Sequence, residues 1–566
     1  MNYQLEDQQL IFEQQSQFEN PQFYDGIIWD YKENPPRKIR TNYQISITKT
    51  LEILYLRDGC IMRRDQVKDT SNKLEILANL EQINHLKWIG DYGQNNQKIS
   101  KWIATWKGEV VQNVGGQYNE CGRKEGKWKE IIQNYWGKAQ VYEVGRYENG
   151  LRQGTWKYIY EDQEIGGGEY NLQGLKNGKW MELWEEFWHF SQVTYFGEYI
   201  NGIKVGKWEI WYKKQYGDYQ SEKIGGGFYD EEGNGYKKGK WVELYNGFYD
   251  SSQITYHGEY KNSKKVGRWN IYFNYGENKE IGGGSYDERG DEIKIGHWIE
   301  LSKGFFDQSQ ITYNGEYKNG QKAGRWNIYF NQYGNNKIIG GGQYDEDGNG
   351  IKIGDWIELS DGFYEYSQIT YNGKYQNGKK VGQWNIYHTQ FENKKILGGG
   401  SYDEKGNGTK IGKWIELTDG FNDYQQVTYI GEYQNGIKVG KWDIVYQEQK
   451  IGGGQYTEEG QKIGLWTEQS EGFKYDSQIT NNGEYKNGSK QGRWDILKED
   501  KQIGGGLYDG KCVGIKIGNW IDLDEEFQDV KQIIYNGEYK NGIKVGKWEI
   551  YDIKENYQRG EINYEI

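Results

Sequence analysis

The segment "ITYNGEY" at residues 311–317 alternates strictly. Ile311, Tyr313, Gly315 and Tyr317 fall on one side of an extended chain; Thr312, Asn314 and Glu316 fall on the other. After a short polar break, Trp326 and Ile328 share a side, and Arg325 and Asn327 share the opposite one. Period-two alternation on both sides of a glycine-containing break predicts a β-hairpin. Asn319-Gly320 suits the positive φ of a tight turn. Two registers satisfy the pattern: closure at Asn319-Gly320, or a wider loop bounded by Tyr317 and Gly324. They differ by an even step, so the faces are the same in both. In the wider register Gly315 faces Trp326 and Tyr317 faces Gly324, each ring lying over a glycine. Glu316 then stands opposite Arg325, with Glu198–Lys207, Glu259–Arg268, Glu432–Lys441, Glu484–Arg493 and Glu538–Lys547 as equivalents; Lys374 and Gln383 depart.

This hairpin is one of many. "GEYKNGQKAGRW" (Gly315–Trp326) recurs as "GEYINGIKVGKW" (Gly197–Trp208), "GEYKNSKKVGRW" (Gly258–Trp269), "GKYQNGKKVGQW" (Gly373–Trp384), "GEYQNGIKVGKW" (Gly431–Trp442), "GEYKNGSKQGRW" (Gly483–Trp494) and "GEYKNGIKVGKW" (Gly537–Trp548). Weaker copies end at Trp102 and Trp156. Between these A units lie B units, typified by "IGGGQYDEDGNGIKIGDWIEL" (residues 339–359), which end at Trp128, Trp180, Trp241, Trp298, Trp356, Trp414, Trp466 and Trp520. A and B alternate over about seventeen units. The repeat positions that carry the pattern are Tyr199, Gly206, Trp208, Trp241, Tyr260, Trp269, Trp298, Tyr317, Trp326, Trp356, Tyr375, Trp384, Trp414, Tyr433, Trp442, Trp466, Trp494, Trp520 and Trp548.

Spacing separates two kinds of connection. From each B tryptophan to the next A tryptophan the distance is always 28 residues; from A to the following B it varies from 24 to 33. The fixed B-to-A connector, such as "GFFDQSQITYNGEY", is therefore expected to be packed. The variable A-to-B stretch, such as "KKQYGDYQSEK", is expected to be a surface loop. B units raise one problem. In "DWIEL", Trp356 and Glu358 share parity while Ile357 and Leu359 share the other, which predicts either apolar contact on both faces or a bulge beside the tryptophan.

A lone hairpin is marginal in water, so the units must stack to bury a continuous aromatic face. The expected fold is all-β: an elongated, twisted array of stacked antiparallel hairpins, with a small N-terminal region containing one helix. The array spans residues 88–552. Residues 1–87 lack the repeat, and "NKLEILANLEQINHLKW" predicts a capping helix near 73–87 with Asn72 as N-cap and Glu75 at N3. "LEDQQLIFEQQSQF" reads as a short helix or a tail, "NPPRKIR" as a loop, and residues 553–566 as a C-terminal tail or cap.

Composition narrows the function classes. Gly is 81 of 566, with 51 Tyr, 24 Trp and only 3 Pro, which fits aromatic strands joined by tight turns. The net charge of −12 is spread without a basic block, which argues against nucleic acid. Cys60, Cys121 and Cys512 form neither a disulfide framework nor a zinc spacing. The polar start "MNYQLEDQQL" lacks an apolar signal core, and no apolar run reaches the length of a transmembrane span. An intracellular, cytoplasmic location is the expectation.

Two motifs imitate ligand sites. The triplet Gly340–Gly342 resembles a phosphate cradle, but no Gly-Lys-Ser/Thr follows it. It reads as flat strand positions under Tyr and Trp rings. Asp345-x-Asp347-Gly348-Asn349-Gly350 resembles the start of a calcium loop, but Trp356 occupies the position of the bidentate Glu, so it reads as a turn. The five histidines keep no fixed repeat position, and the carboxylates recur with the turns as a solvated rim. No catalytic residue, cofactor site or metal site is assigned, and the chain is expected not to be an enzyme.

The units resemble MORN repeats, specifically the variant of bacterial antitoxin-like proteins and long protist repeat proteins. The resemblance rests on Tyr-x-Asn-Gly-x-Lys-x-Gly-x-Trp, as in "GEYKNGIKVGKWEIY" at residues 537–551, and covers residues 88–552. The common form has Gly-x-Gly after the turn where this chain has Trp. The resemblance implies a hairpin stack and a scaffolding role, often at membranes or in cytoskeletal and ciliary assemblies. The leading expectation is a non-enzymatic structural scaffold that binds another protein. One alternative is a membrane-apposed platform in peripheral contact with lipid. A second is a glycan-binding protein, in which Trp136, Trp184, Trp188 and Trp211 form an open groove.

Overall fold

The A hairpin realises both of its expected registers. In the computed structural model, strands Ile311–Lys318 and Gln321–Gln332 pair antiparallel, closing with Lys318 opposite Gln321 around Asn319 (φ 52°) and Gly320 (φ 80°). These are the dihedral signs of a type I′ turn. Glu316 faces Ala323, whereas Asn314 faces Asn327, so the register shifts between them. Gly324 (φ 62°) takes up the extra residues as a bulge, and Trp326 comes down over Gly315, where a Cβ would stand 2.4 Å from ring atom Cδ2. The bulge also removes the expected cross-strand ion pairs. Glu316 and Arg325 are not opposite one another, and Arg325 Nε donates instead to Asn327 Oδ1, two positions along its own strand, at 3.1 Å. Lys207 likewise turns to Glu209 at 2.7 Å and Arg493 to Asp495 at 2.8 Å.

The structure describes residues 22–30, 37–47, 52–57, 60–66 and 77–564, except 96, 215–219, 277, 333, 391–392, 419–420, 471–472, 511–513 and 525–526. It divides into two compact units, residues 1–57 with 61–293 and residues 58–60 with 294–566. In the first, array strands run from Leu86–Tyr92 to Lys279–Tyr286; in the second, from Lys294–Leu301 to Tyr557–Tyr564. Within each, consecutive strands pair antiparallel, a β-repeat of linked hairpins.

One sheet face of each unit carries a ladder of alternating tyrosine and tryptophan. In the second unit it runs from Trp298 to Tyr564 with ring centroids 5.0–6.2 Å apart, all edge to face. In the first it runs from Tyr92 to Tyr286 at 5.0–6.5 Å. Such pairs contribute roughly 0.5–1.5 kcal/mol each beyond their burial.

The glycine triplet is not a flat bed. Gly341 has φ 122°, and a Cβ there would lie 2.1 Å from the Trp326 carbonyl oxygen. A Cβ on Gly340 would meet the Ile357 carbonyl at 2.7 Å, and only Gly342 lies under a ring, that of Trp356, at 2.1 Å. Each glycine is required for a different steric reason. In the B unit the bulge beside the tryptophan is real: Gly354 has φ 68°, and the register shifts between Gly341 and Gln343.

The B-to-A connectors are packed. Phe363 is buried against Ile311, Ile328 and Phe330, with Leu359 beside them. Ser309 Oγ donates to the Phe363 carbonyl at 2.8 Å, and the Glu365 N–H to the Gln308 carbonyl at 3.3 Å. In the first unit Ser191 Oγ donates to the Phe248 carbonyl at 2.6 Å, and the Asp250 N–H to the Phe190 carbonyl at 3.2 Å. Within each unit the connectors are bonded to one another in succession, which explains why their length is constant. Between A and B, Tyr275 is exposed, as expected of a surface loop, and part of "KKQYGDYQSEK" lies outside the described residues.

Before the array, strands Gln22–Asp30, Arg37–Ile47, Glu52–Arg57 and Cys60–Gln66 follow one another in a four-stranded sheet. Arg37–Arg40 thus open a strand, where the sequence pattern predicts a loop; Pro35 and Pro36 lie outside the described residues. Helix Leu80–His85 is capped by Asn79, whose side chain accepts from the N–H groups of Glu81 and Gln82. Asn72 and Glu75, like the segment "LEDQQLIFEQQSQF", lie outside the described residues. Leu80 and Ile83 complete a core with Tyr43, Ile45, Ile53 and Tyr55. At the other end, Tyr557–Tyr564 pairs with Ile543–Asp552, and Tyr564 ends the ring ladder against Trp548.

Candidate functional site

Every B unit places a carboxylate two residues after its tryptophan: Glu130, Glu182, Glu243, Glu300, Glu358, Glu416, Glu468 and Asp522. The strand keeps Lys294, before the bulge at Gly296 (φ 66°), on one face with Trp298 and Glu300, after it. Lys294 Nζ donates to Glu300 Oε1, Lys322 Nζ from the following A unit lies 2.9 Å from Oε2, and the Tyr317 hydroxyl donates to Oε1 at 2.8 Å. The lysines in turn sit on the tryptophans, Lys294 4.5 Å from the Trp298 ring centroid and Lys322 3.8 Å from that of Trp326. Cation–π contacts of this kind contribute about 0.5–2 kcal/mol.

The same constellation recurs with Glu182 (Lys176, Lys204, Tyr199), Glu243 (Lys237, Lys265, Tyr260) and Glu358 (Lys352, Lys380, Tyr375). It continues at Glu416, Glu468 and Asp522. Around Glu130, Arg152 stands in for the second lysine and also reaches Glu143. Burial alone raises the Glu300 carboxyl, but Lys322 and Lys294 outweigh it and hold the group below the usual range. Burial, then the charge of Glu358, pushes the Tyr375 hydroxyl far up, so it stays a donor.

The sequence pattern hides this cluster behind an apparent mismatch. A units from Trp208 onward read Trp-x-Ile, as at Trp326-x-Ile328, while B units read Trp-x-Glu or Trp-x-Asp. That alternation, with a cation four residues before each tryptophan, was the available signal. The carboxylates are therefore not only a rim of turns.

In each unit a small open cavity lies between two successive clusters. One, of about 220 Å³, lies among Tyr195, Lys204, Trp208, Tyr229, Lys237 and Trp241, with Glu243 at its wall. Its counterpart in the second unit, about 190 Å³, lies among Tyr429, Lys438, Trp442, Tyr456, Lys462 and Trp466, with Glu468. The residues correspond position for position.

The repeat positions fall into the two ladders. Tyr199, Trp208, Trp241, Tyr260 and Trp269 stack in the first unit, and Gly206 (φ 61°) forms the bulge before Trp208. Trp298, Tyr317, Trp326, Trp356, Tyr375, Trp384, Trp414, Tyr433, Trp442, Trp466, Trp494, Trp520 and Trp548 stack in the second.

The calcium-like loop is stapled by its own first residue. Asp345 accepts from the Ile351 N–H at 2.8 Å and from Asn349 Nδ2 at 2.7 Å, and these bonds hold its carboxyl below the usual range. No cluster of metal-ligating side chains occurs among the described residues. The tryptophan groove does not form: Trp136 and Trp188 are buried against each other, centroids 5.7 Å apart. Trp184 lines the first cavity instead, and Trp211 is half-buried. No helix among the described residues is long and apolar enough to cross a membrane.

No family model matches the chain, and no curated protein matches it. Among solved structures, it is similar to Kluyveromyces lactis Hsv2 at 9% identity and a TM-score of 0.20, covering 66% of this chain and 96% of that one. It is also similar to Penicillium chrysogenum alpha-L-arabinanase complexed with arabinobiose, at 10% identity and a TM-score of 0.17, covering 54% and 91%. Overlaps this small do not establish a shared fold.

Proposed function

We propose that the chain is a non-enzymatic interaction scaffold, a repeat protein that presents equivalent docking positions in series to a protein partner within the cell. One observation carries this reading. The same lysine–carboxylate–tyrosine cluster recurs in every module, and the intervening connectors are of constant length. A surface repeated in step suits a partner that is itself extended or repetitive, because several weak contacts then add as avidity. A cytoskeletal or ciliary assembly is the kind of setting in which such a partner is found.

The test is proximity labelling in cells with the tagged chain, followed by reconstitution with the purified candidate. The expected result is a complex whose affinity falls stepwise as successive modules are mutated in the full chain. A complex that depends on a single module, or turnover of a small substrate at one place, would refute the scaffold.

A further inference from the structure

We infer that the cavities between successive clusters, one in each unit, are carboxylate-binding sites on the ring-bearing face. The first argument is a surplus of charge. From Glu182 onward each cluster holds two cations against one carboxylate: Glu182 takes both Lys176 and Lys204, and Glu416 takes both Lys410 and Lys438. One ammonium would neutralise each acid. Holding a second in a half-buried position costs desolvation, and the array does so module after module.

The second argument is placement. Lys204 belongs to one cluster and Lys237 to the next, yet both line the same 220 Å³ cavity. Lys438 and Lys462 line the 190 Å³ cavity in the same way. An ammonium has three N–H donors. Lys204 meets Glu182 at 2.8 Å and Lys438 meets Glu416 at 2.9 Å, leaving donors for a guest. The tyrosines at the walls donate as well. Burial and nearby carboxylates push Tyr229 and Tyr456 up to about 12, so their hydroxyls keep their protons.

Size, charge and access select the guest. Lysine ammoniums cover the tryptophan faces, at 4.1 Å over Trp208 and 4.7 Å over Trp241, so no flat ligand can stack there. The volumes fall short of the roughly 300 Å³ lower bound for drug-sized ligands. With two lysines and Glu243 at its wall, the cavity carries one net positive charge. A carboxylate matches that charge, whereas a doubly charged phosphate would be left facing Glu243. Four strands per module, about 4.8 Å apart, set each cavity and the next lysine cluster within a unit about 19 Å apart. An extended acidic polypeptide covers that distance in about six residues. The carboxylate could therefore come from a free small acid or from an acidic chain; only the second rests on the scaffold reading.

The test is titration calorimetry of the full chain at low salt with propionate, with a poly-glutamate of about twenty residues, and with inorganic phosphate. Propionate is expected to bind saturably, and poly-glutamate at least about 100-fold tighter through simultaneous engagement, despite the chain's own net charge of −12. The double variant Lys204→Met, Lys438→Met is expected to lose two propionate sites. It should keep its melting temperature within a few degrees, because Glu182 retains Lys176 and Glu416 retains Lys410. Lys395→Met, at an exposed ion pair, is expected to change nothing. The inference is overturned if no carboxylate binds saturably, if phosphate binds more tightly than propionate, or if the double variant binds as the parent does. An equal loss in Lys395→Met also overturns it. Propionate binding without a gain for poly-glutamate keeps the cavities and counts against the scaffold.

Discussion

Trp356 lies face-down on Gly342, so closely that a Cβ on the glycine would stand 2.1 Å from ring atom Cδ2. Gly342→Ala is therefore expected to destabilise its module by about 1–3 kcal/mol through overpacking. Gly354→Ala tests the other kind of glycine: its Cβ meets no atom within 4 Å, but φ is 68°, so the cost is conformational and about 1–2 kcal/mol. Urea unfolding separates the two, because adding Trp356→Leu should relieve the first loss and leave the second. Equal relief in both would refute the steric reading.

The cluster around Glu300 is expected to respond unequally to its two kinds of deletion. Lys322→Met leaves Lys294 paired with Glu300 and should change stability by less than about 1 kcal/mol. Glu300→Gln leaves Lys294 and Lys322 without their shared anion and should cost about 1–3 kcal/mol. Thermal unfolding of both variants checks this. The reverse order would mean that the lysines, not the carboxylate, hold the cluster together.

The connectors and the loops should differ in tolerance. Two glycines inserted after Asp307 break the bonds that Ser309 and Gln308 make with the next connector, and Phe363 loses its seat. A cost of at least about 2 kcal/mol is expected. The same insertion at exposed Gly276 should change stability by less than about 0.5 kcal/mol. Hydrogen exchange would place the first lesion in two adjacent modules; a lesion confined to one would show that the connectors act alone.

Acid should act in two stages. Burial, chiefly, lowers His85 to about 4, so its neutral form is favoured by folding. Its contribution is full above the unfolded value near 6.5 and falls between there and pH 4, by up to about 1.4 kcal/mol per pH unit. His85→Phe, which keeps a ring against Trp106, should flatten that slope in the region of helix Leu80–His85. Lysine partners outweigh burial and lower Glu182, Glu243, Glu300, Glu358, Glu416 and Glu468 as well, so their contribution is present above about pH 4.3 and is lost as pH falls through their folded values. Glu300→Gln should weaken only this second stage. Melting curves from pH 7 to 3 read both.

The ring ladder was legible because tyrosine, tryptophan and the bulge glycine repeat at fixed intervals, and period-two alternation assigns them one face. The two hairpin registers appeared as alternatives because a bulge at Gly324 joins them, and no residue pattern states that both can hold. That bulge is also why Glu316 and Arg325 fail to pair. Glu300 went unread as a site because one of its cations, Lys322, belongs to another hairpin, and a long-range contact leaves no local period. The N-terminal sheet escaped for a simpler reason: Tyr43, Ile45, Ile53 and Tyr55 belong to no repeat.

The connector bonds, finally, bear on how such a chain can change length. Within each unit, neighbouring connectors donate to and accept from one another, and each carboxylate draws one cation from its own hairpin and one from the next. Deleting one hairpin would orphan a charge and break the stack at the same place. Excising a complete four-strand block would let the flanking connectors meet again with matching partners. Genetic gain or loss of material in this array should therefore proceed in whole blocks, like links in a watch strap, while the A-to-B loops absorb single-residue drift.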